Sequence, residues 1–282
     1  MTLNPLSSLL YEPLVRMALL EDLGRAGDIT TDAIVPAEQR ASLKLRARQH
    51  GVIAGLDVAR CAFQTVSPDV RMEIVRPDGS VVTPGDAIAT ISGPARALLT
   101  GERVALNFLC RLSGVASATA SLVAAVKGTK AQIVCTRKTT PGLRALEKYA
   151  VRAGGGGNHR LGLDDAVLIK DNHIAIAGGI KAAITRAKAH AGHLVKIEVE
   201  VDTLAQLEQA LTLGVDAVLL DNMTPAELEA AVGMISGKAI AEASGRITVE
   251  TAPAIAAAGV DLISVGWITH SSAALDIGLD EA

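Results

Sequence analysis

From about residue 132 onward the chain repeats one unit: a short apolar run, a polar or glycine-rich end, then an alanine-rich helical stretch. The apolar runs are Ile133-Val134-Cys135, Ala166 to Ile169, Leu194 to Val201, Ala217 to Leu220, Lys238 to Ala241 and Leu262 to Val265. Between most of them lie segments such as "GGIKAAITRAKAHAG", "TLAQLEQALTLG", "TPAELEAAVGMISG" and "TVETAPAIAAAG". Strands alternating with helices at this spacing build a parallel sheet, because a parallel return needs a crossover long enough to hold a helix. "TPAELE" starts as a helix should, with Thr224 as cap, Pro225 in the first turn and Glu227 three residues after the cap.

Each apolar run ends in chemistry. In order the ends are Thr136-Arg137-Lys138, Lys170-Asp171-Asn172, Glu198 with Glu200, Asp221-Asn222, Ser244-Gly245-Arg246 and Gly266-Trp267. One polar residue at a strand end is a turn former or a cap. Six in succession predict a (β/α) barrel, whose active site is made by the loops at the C-terminal ends of its strands. Six strands fall short of eight, so the barrel is expected to be incomplete; a doubly wound open sheet is the alternative, with ligands at the same strand ends.

The first hundred or so residues differ. "LVRMALLEDLG" reads as an amphipathic helix closed by Gly24, and "SLKLRARQHGVIAG" alternates apolar and cationic residues as a half-exposed strand does. "MEIVRPDGSVVTPGDAIATISGP" carries a DG turn between strand runs and a second turn at PGD. This predicts an antiparallel, turn-rich α/β module. Its PGD turn suits a biotinyl or lipoyl carrier, but no lysine stands at a hairpin tip, so a carrier is rejected. A long helical stretch, "ALLTGERVALNFLCRLSGVASATASLVAAVKG", joins the halves, with a break expected near Gly114.

The two halves leave few other classes open. Aromatic residues make up 2% of the chain, so stacking platforms for single-stranded nucleic acid are absent, and a net charge of -3 favours neither nucleic acid nor a membrane surface. Cys61, Cys110 and Cys135 are far apart and form no CxxC pair, as expected of reduced thiols in a cytoplasmic protein. "MTLNPLSSLLYEPL" lacks the basic start and apolar stretch of a signal peptide, and no segment offers about 20 uninterrupted apolar residues for a membrane span.

"AGGGGNHRLGLDDAVLIKDNH", residues 153–173, concentrates the question of function. Four glycines predict irregular backbone, His159 and Arg160 follow, and a buried strand then delivers Lys170. With Arg137 and Lys138 this makes five candidate cations, facing Glu200 and Asp221. Arginine forks match carboxylates and phosphates, whereas lysine acts as a point charge. So many cations around one barrel mouth imply a ligand with several negative charges. Two carboxylates across the mouth suit Mg²⁺ or ribose hydroxyls, and "EASGR" and "SVGW" offer backbone N–H groups for a phosphate. Taken singly, Arg137 or Arg160 is more simply a surface residue and His159 a loop hydrogen-bonder. Asp221 is as simply a helix cap, and Asp164 and Asp165 serve turns. Lys170 is harder to dismiss, because burying a lysine needs an anion.

At this point the motifs become specific. "EDLGRAGDITTD", "GERVALNFLCRLSG", "TRKTTPGLR", "KYAVRAGGGGNHRLGLDDAVLIKDNH", "IEVEV", "LLDNM", "EASGRI" and "SVGWITHS" together resemble the quinolinate phosphoribosyltransferase family over nearly the whole chain. The resemblance implies an N-terminal α/β sandwich (1–112), an open α/β barrel (113–270) and a tail (271–282) that returns to the sandwich. It implies Mg²⁺-dependent joining of quinolinate to phosphoribosyl pyrophosphate, with release of pyrophosphate and CO₂ and formation of nicotinate mononucleotide for NAD synthesis. Arg137, His159, Arg160 and Lys170 would hold the pyridine dicarboxylate, and Lys138 and Lys170 the pyrophosphate. Glu200 and Asp221 would sit at the ribose and Mg²⁺, making Lys170, Glu200 and Asp221 the catalytic set, with Thr136 beside them. Ser244, Gly245, Arg246, Val265, Gly266 and Trp267 fall in the family's phosphate loops, although Trp267 stands where a small residue is expected. Arg103 is similar to an arginine that the family supplies from the neighbouring subunit, which implies a homodimer.

Three other readings compete. A Schiff-base aldolase would use a strand-end lysine such as Lys170, but it leaves Arg137 and Lys138 surplus. A molybdenum-transport-associated paralogue shares the fold, and the complete dicarboxylate set argues against it. A non-catalytic polyanion-binding barrel would bind without turnover.

Overall fold

The computed structural model describes residues 3–281. In chain order the first half holds α1 (Glu12–Leu23), α2 (Ile29–Ile34), β1 (Arg40–Ala47), β2 (Gly51–Val52), α3 (Leu56–Val66), β3 (Arg71–Ile74), β4 (Val81–Val82), β5 (Ala87–Pro94) and α4 (Ala95–Ala125). The second half holds β6 (Gln132–Val134), α5 (Arg144–Ala153), β7 (Val167–Ile169), α6 (Asp171–Ala177), α7 (Ile180–His190), β8 (Ile197–Val201), α8 (Leu204–Thr212) and β9 (Ala217–Asp221). It continues with α9 (Pro225–Ile235), β10 (Ile240–Ser244), α10 (Ala252–Ala257), β11 (Leu262–Ser264), α11 (Trp267–His270) and β12 (Ile277–Glu281). The described residues form two compact units: residues 3–120, 140–155 and 271–281 make one, and residues 121–139 with 156–270 make the other.

The first unit is built on an antiparallel sheet in the order β12-β1-β5-β3. The alternation in "SLKLRA" emerges as expected, with Leu45 and Ala47 buried and Arg46 partly exposed. The strands flanking Asp78-Gly79 do not pair with each other. β3 pairs with β5, and β4 with β2. The Asp78 carboxylate instead accepts the N–H groups of Gly55 and Leu56 at the start of α3, together with the Tyr149 hydroxyl. A residue that reads as turn chemistry is thus a helix cap supplied from 22 residues away.

The expected break at Gly114 does not occur. α4 runs unbroken for 31 residues, so a boundary at 112/113 falls inside one helix. Gly114 is a contact point instead: a Cβ there would collide with the carbonyl oxygen of Ala273 and come within 3.0 Å of Ala274 Cα. The tail lies against α4 at that point, and β12 then pairs with β1 from Leu43 opposite Glu281 to Ala47 opposite Ile277. α4 is apolar and long enough to cross a membrane by composition, yet Leu98, Leu109 and Leu112 are buried in the protein core.

The second unit is a six-stranded parallel sheet ordered β6-β11-β10-β9-β8-β7. β7 to β11 follow one another without reversal, and β11 then meets β6. This is barrel winding opened between the first and second strands, not a doubly wound sheet with a switch point. All six expected strands exist. The third begins at Ile197 rather than Leu194, which is 85% exposed, and the fifth runs on to Ser244. The glycine run is not merely loose: Gly157 bridges to Val134 at the open edge, with its N–H on the Ile133 carbonyl at 2.8 Å. Thr224 and Glu227 form the expected capping box at α9.

Candidate active site

The C-terminal strand ends of the second unit enclose a cleft of about 340 Å³. β6 leads into Thr136, Arg137 and Lys138, and the segment after Gly157 carries His159 and Arg160. β7 supplies Leu168 and Lys170, β8 Glu200, and β9 Leu219 and Asp221. β10 supplies Glu242 and Ser244, and β11 Ser264. These sequence-distant residues converge because every strand of a parallel sheet points its C-terminal end the same way.

Two of the cations are held as an anion site requires. The Nε atoms of Arg137 and Arg160 are buried without a hydrogen-bond partner. The Arg160 guanidinium is steered by the Ala166 carbonyl at 3.0 Å. Burial first, and then the neighbouring Arg137 charge, push the Arg160 pKa below its ordinary value. Two like charges that repel each other, each with an unmet donor, make an arrangement that an anion would complete.

Lys170 differs from its sequence reading. It is not buried; its side chain is 48% exposed at the mouth, with Nζ 3.4 Å from Glu200. Burial raises the Glu200 pKa, Lys170 lowers it, and Asp221 raises it again. Asp221 accepts a hydrogen bond from the Asn222 side chain at 2.6 Å.

His159 is tied down on both sides of its ring. Its Nδ1 accepts the Arg160 backbone N–H at 2.7 Å, and its Nε2 lies 2.8 Å from Glu198 and 3.6 Å from Glu242. The ring thus shapes the turn that presents Arg160 and sits over a pair of buried acids.

Of the acids beneath it, the sequence marks Glu198 only as strand-end chemistry beside Glu200 and does not single out Glu242. Glu198 is 8% exposed and Glu242 1%, and each has one buried Oε1 without a hydrogen-bond partner. Glu242 lies 3.6 Å from His159 Nε2. Its pKa is pushed up to about 7, by burial first and then by the Glu198 charge. The signal was available: an acid inside the apolar run "AIAEAS" of a parallel strand must be buried. This has a measurable consequence. In the unfolded chain Glu242 ionises at the ordinary glutamate pKa, whereas in the folded chain it resists, so folding is increasingly opposed as pH climbs from the ordinary value through about 7. Glu242→Gln removes that opposition. Its gain in Tm is expected to be larger at about pH 8 than at about pH 5, as read by thermal denaturation at both.

The phosphate-loop candidates cluster beside the cleft. Asn222, Gly245 and Arg246 all have positive φ, and a Cβ on Gly245 would meet the Asn222 backbone nitrogen at 2.9 Å. Gly266 packs on the Lys138 side chain in the same way, where a Cβ would lie 2.9 Å from Cδ. Val265 is buried and gives its N–H to the Val134 carbonyl, so it shapes the loop. Trp267 donates its indole N–H to the Ile247 carbonyl at 2.8 Å, while Thr269 donates to the Lys138 carbonyl at 2.8 Å. The large side chain at 267 is thus accommodated as a tie between two loops. Arg103 lies in the first unit, exposed on α4. Asp165 accepts the Leu161 and Gly162 N–H groups, the turn role expected of it.

The chain matches two family descriptions in succession: quinolinate phosphoribosyl transferase, N-terminal domain, over residues 28–113, and quinolinate phosphoribosyl transferase, C-terminal domain, over residues 115–280. It is 43% identical to a probable nicotinate-nucleotide pyrophosphorylase [carboxylating] of Bacillus subtilis, over 98% of this chain and 94% of that protein. It is 46% identical to the nicotinate-nucleotide pyrophosphorylase [carboxylating] of Mycobacterium leprae, over 94% and 95%. Among solved structures, NadC from Streptococcus pyogenes superposes with a TM-score of 0.95 at 41% identity, covering 98% of each chain. The nicotinate-nucleotide pyrophosphorylase of Francisella tularensis gives 0.94 at 38%, covering 99% of each. With both domain descriptions matched in order and the same fold found at this identity, the chain belongs to the quinolinate phosphoribosyltransferase family.

Proposed function

We propose that the cleft of the second unit joins quinolinate to phosphoribosyl pyrophosphate and decarboxylates the product, giving nicotinate mononucleotide, pyrophosphate and CO₂ for NAD biosynthesis. The observation that carries the reading is the facing pair Arg137 and Arg160, whose buried Nε donors lack protein partners. A rigid dicarboxylate supplies what they lack. Leu168 and Leu219, from β7 and β9, offer apolar walls for an aromatic ring.

The ring nitrogen attacks the anomeric carbon as the bond to pyrophosphate breaks. Arg137 and Arg160 orient the ring, Lys138 and Lys170 receive the charge of the departing pyrophosphate, and Glu200 and Asp221 face the cationic sugar and its hydroxyls. Ser244 to Arg246 and Gly266 form the cradle for the 5′-phosphate. Glu200 and Asp221 are the two carboxylates on the cleft that would hold Mg²⁺, a hard cation that takes a few protein oxygens together with substrate phosphates. When bound, Mg²⁺ neutralises pyrophosphate charge. After transfer, the positive ring nitrogen stabilises the electron pair that CO₂ leaves on the adjacent carbon.

Binding measurements test the dicarboxylate assignment. Quinolinate is expected to bind at least about tenfold tighter than nicotinate, since removing one partner of a buried charge pair costs more than one such factor. Equal affinities would remove the assignment. Borohydride is expected to trap no adduct on Lys170; a trapped adduct would favour the aldolase reading.

A second copy of the chain completes the site. Leu9, Met17, Leu20, Ile29 and Ile34 are all more than 60% exposed on the first unit, apolar surface of the kind a partner covers. Arg103, exposed on α4, is the residue the partner's site would receive. Arg103→Ala and Lys170→Ala are expected to be separately inactive, and mixing them is expected to restore activity to at most about a quarter, as subunits exchange into dimers with one intact shared site. Mixing without any recovery would place Arg103 outside its neighbour's site. The three free cysteines fit the reducing cytoplasm expected for such an enzyme.

A further inference from the structure

We propose that Glu242 is the general acid of the decarboxylation half-reaction, delivering a proton to ring carbon C2 as the carboxylate there departs. The proposal rests on the function given above and concerns a step that the cation cluster cannot perform.

The chemistry sets the requirement. After phosphoribosyl transfer, the bond between C2 and its carboxylate breaks, CO₂ leaves, and the bonding pair stays on C2 in the plane of the ring. That pair must take up one proton to give nicotinate mononucleotide. Arginine holds its protons too tightly to give one, which removes Arg137 and Arg160. Lys170 is directed at Glu200, 3.4 Å away at the mouth. His159 has Nδ1 on the Arg160 N–H and Nε2 against Glu198 and Glu242, so both ring nitrogens are directed at protein groups.

Lys138 is committed to the departing pyrophosphate and Glu200 and Asp221 to the sugar, which leaves Glu242, and its surroundings suit the task. It lines the cleft from β10. Its side chain is 2% exposed, and its Oε1 has no hydrogen-bond partner. Three groups from separate segments face it: Glu198 on β8, His159 on the segment after Gly157, and Ser264 on β11. Arg137 and Arg160 line the same cleft. Two carboxyl groups so close and so dry cannot both ionise, and burial together with Glu198 raises the Glu242 pKa into the neutral range. Glu242 thus enters the reaction as a carboxylic acid and leaves it as a carboxylate. A proton from solvent restores it once product departs, so each turnover consumes one proton and releases one CO₂.

The test separates the two half-reactions in a single turnover, with quinolinate, phosphoribosyl pyrophosphate and Mg²⁺. Pyrophosphate and CO₂ are timed independently, and acid-quenched nucleotides are weighed by mass spectrometry. Wild type is run first; if it makes no nicotinate mononucleotide, the proposed function fails before Glu242 is at issue. Glu242→Gln is expected to release pyrophosphate at close to the wild-type rate while CO₂ lags by about 10²-fold or more, the scale of general-acid catalysis. The dicarboxylated mononucleotide is expected to accumulate meanwhile. CO₂ keeping pace with pyrophosphate in a folded Glu242→Gln protein would overturn the proposal. A pH series guards against a variant that fails to fold. The wild-type CO₂ step is expected to slow as pH rises through the neutral range, and Glu198→Gln, by removing the neighbouring charge, is expected to move that fall to lower pH. A fall that does not move contradicts the assignment.

Discussion

Replacing Arg137 with alanine is expected to lower kcat/KM for quinolinate by about 10²–10⁴-fold, the scale of losing one partner of a desolvated charge pair. The same change is expected to leave folding intact or improve it. The Arg137 Nε is buried without a partner, and the Arg137 charge contributes to the depressed pKa of Arg160. Removing it relieves a like-charge repulsion, as is common where a site trades stability for function. Steady-state kinetics and a thermal melt on one preparation read both halves. A matching loss of Tm and activity would mean that Arg137 is a structural residue, and the dicarboxylate assignment would weaken with it.

Gly114→Ala is the second large effect, and its sign opposes what helix propensity alone predicts. In an exposed helix interior, Gly to Ala gains about 1 kcal/mol. Here the new methyl would occupy the space of the Ala273 carbonyl oxygen, which is backbone and cannot swing aside. A net loss of about 1–3 kcal/mol is expected, as for overpacking in a closed core. The tail after Ala273 runs into β12, so hydrogen exchange is expected to rise first along β12 and its partner β1. An unchanged or higher Tm would show that the tail does not bear on α4 as described.

These two sites mark how far the sequence could be followed. The six parallel strands and the α9 capping box were legible because their signals are local: an apolar run, a Thr-Pro start, a Glu three residues on. The convergence of Arg137, Lys138 and Lys170 was legible because strand ends in a parallel sheet must share one face, and Arg160 was legible beside them from the glycine run that precedes it. Gly114 was misread because nothing local says that a tail 159 residues later will rest on it. Asp78 was misread for the same reason, since its N–H partners lie on another segment. The buried surroundings of His159 were hidden differently, because its acidic partner Glu198 lies 39 residues away in the chain. Lys170 was expected to be buried because it follows an apolar run, but the strand ends at Ile169 and the side chain emerges at the mouth. Glu242 needed the strand's inward face and its neighbour's charge together, and only the folded sheet supplies both.

The central claim is that this cleft performs phosphoribosyl transfer to a dicarboxylate with loss of CO₂. The most direct measurement supplies the purified protein with phosphoribosyl pyrophosphate and Mg²⁺, adds quinolinate or nicotinate, and quantifies nicotinate mononucleotide together with CO₂. Product is expected from quinolinate alone, with one CO₂ for each mononucleotide. Product from nicotinate, or none from either in a folded protein, would contradict it.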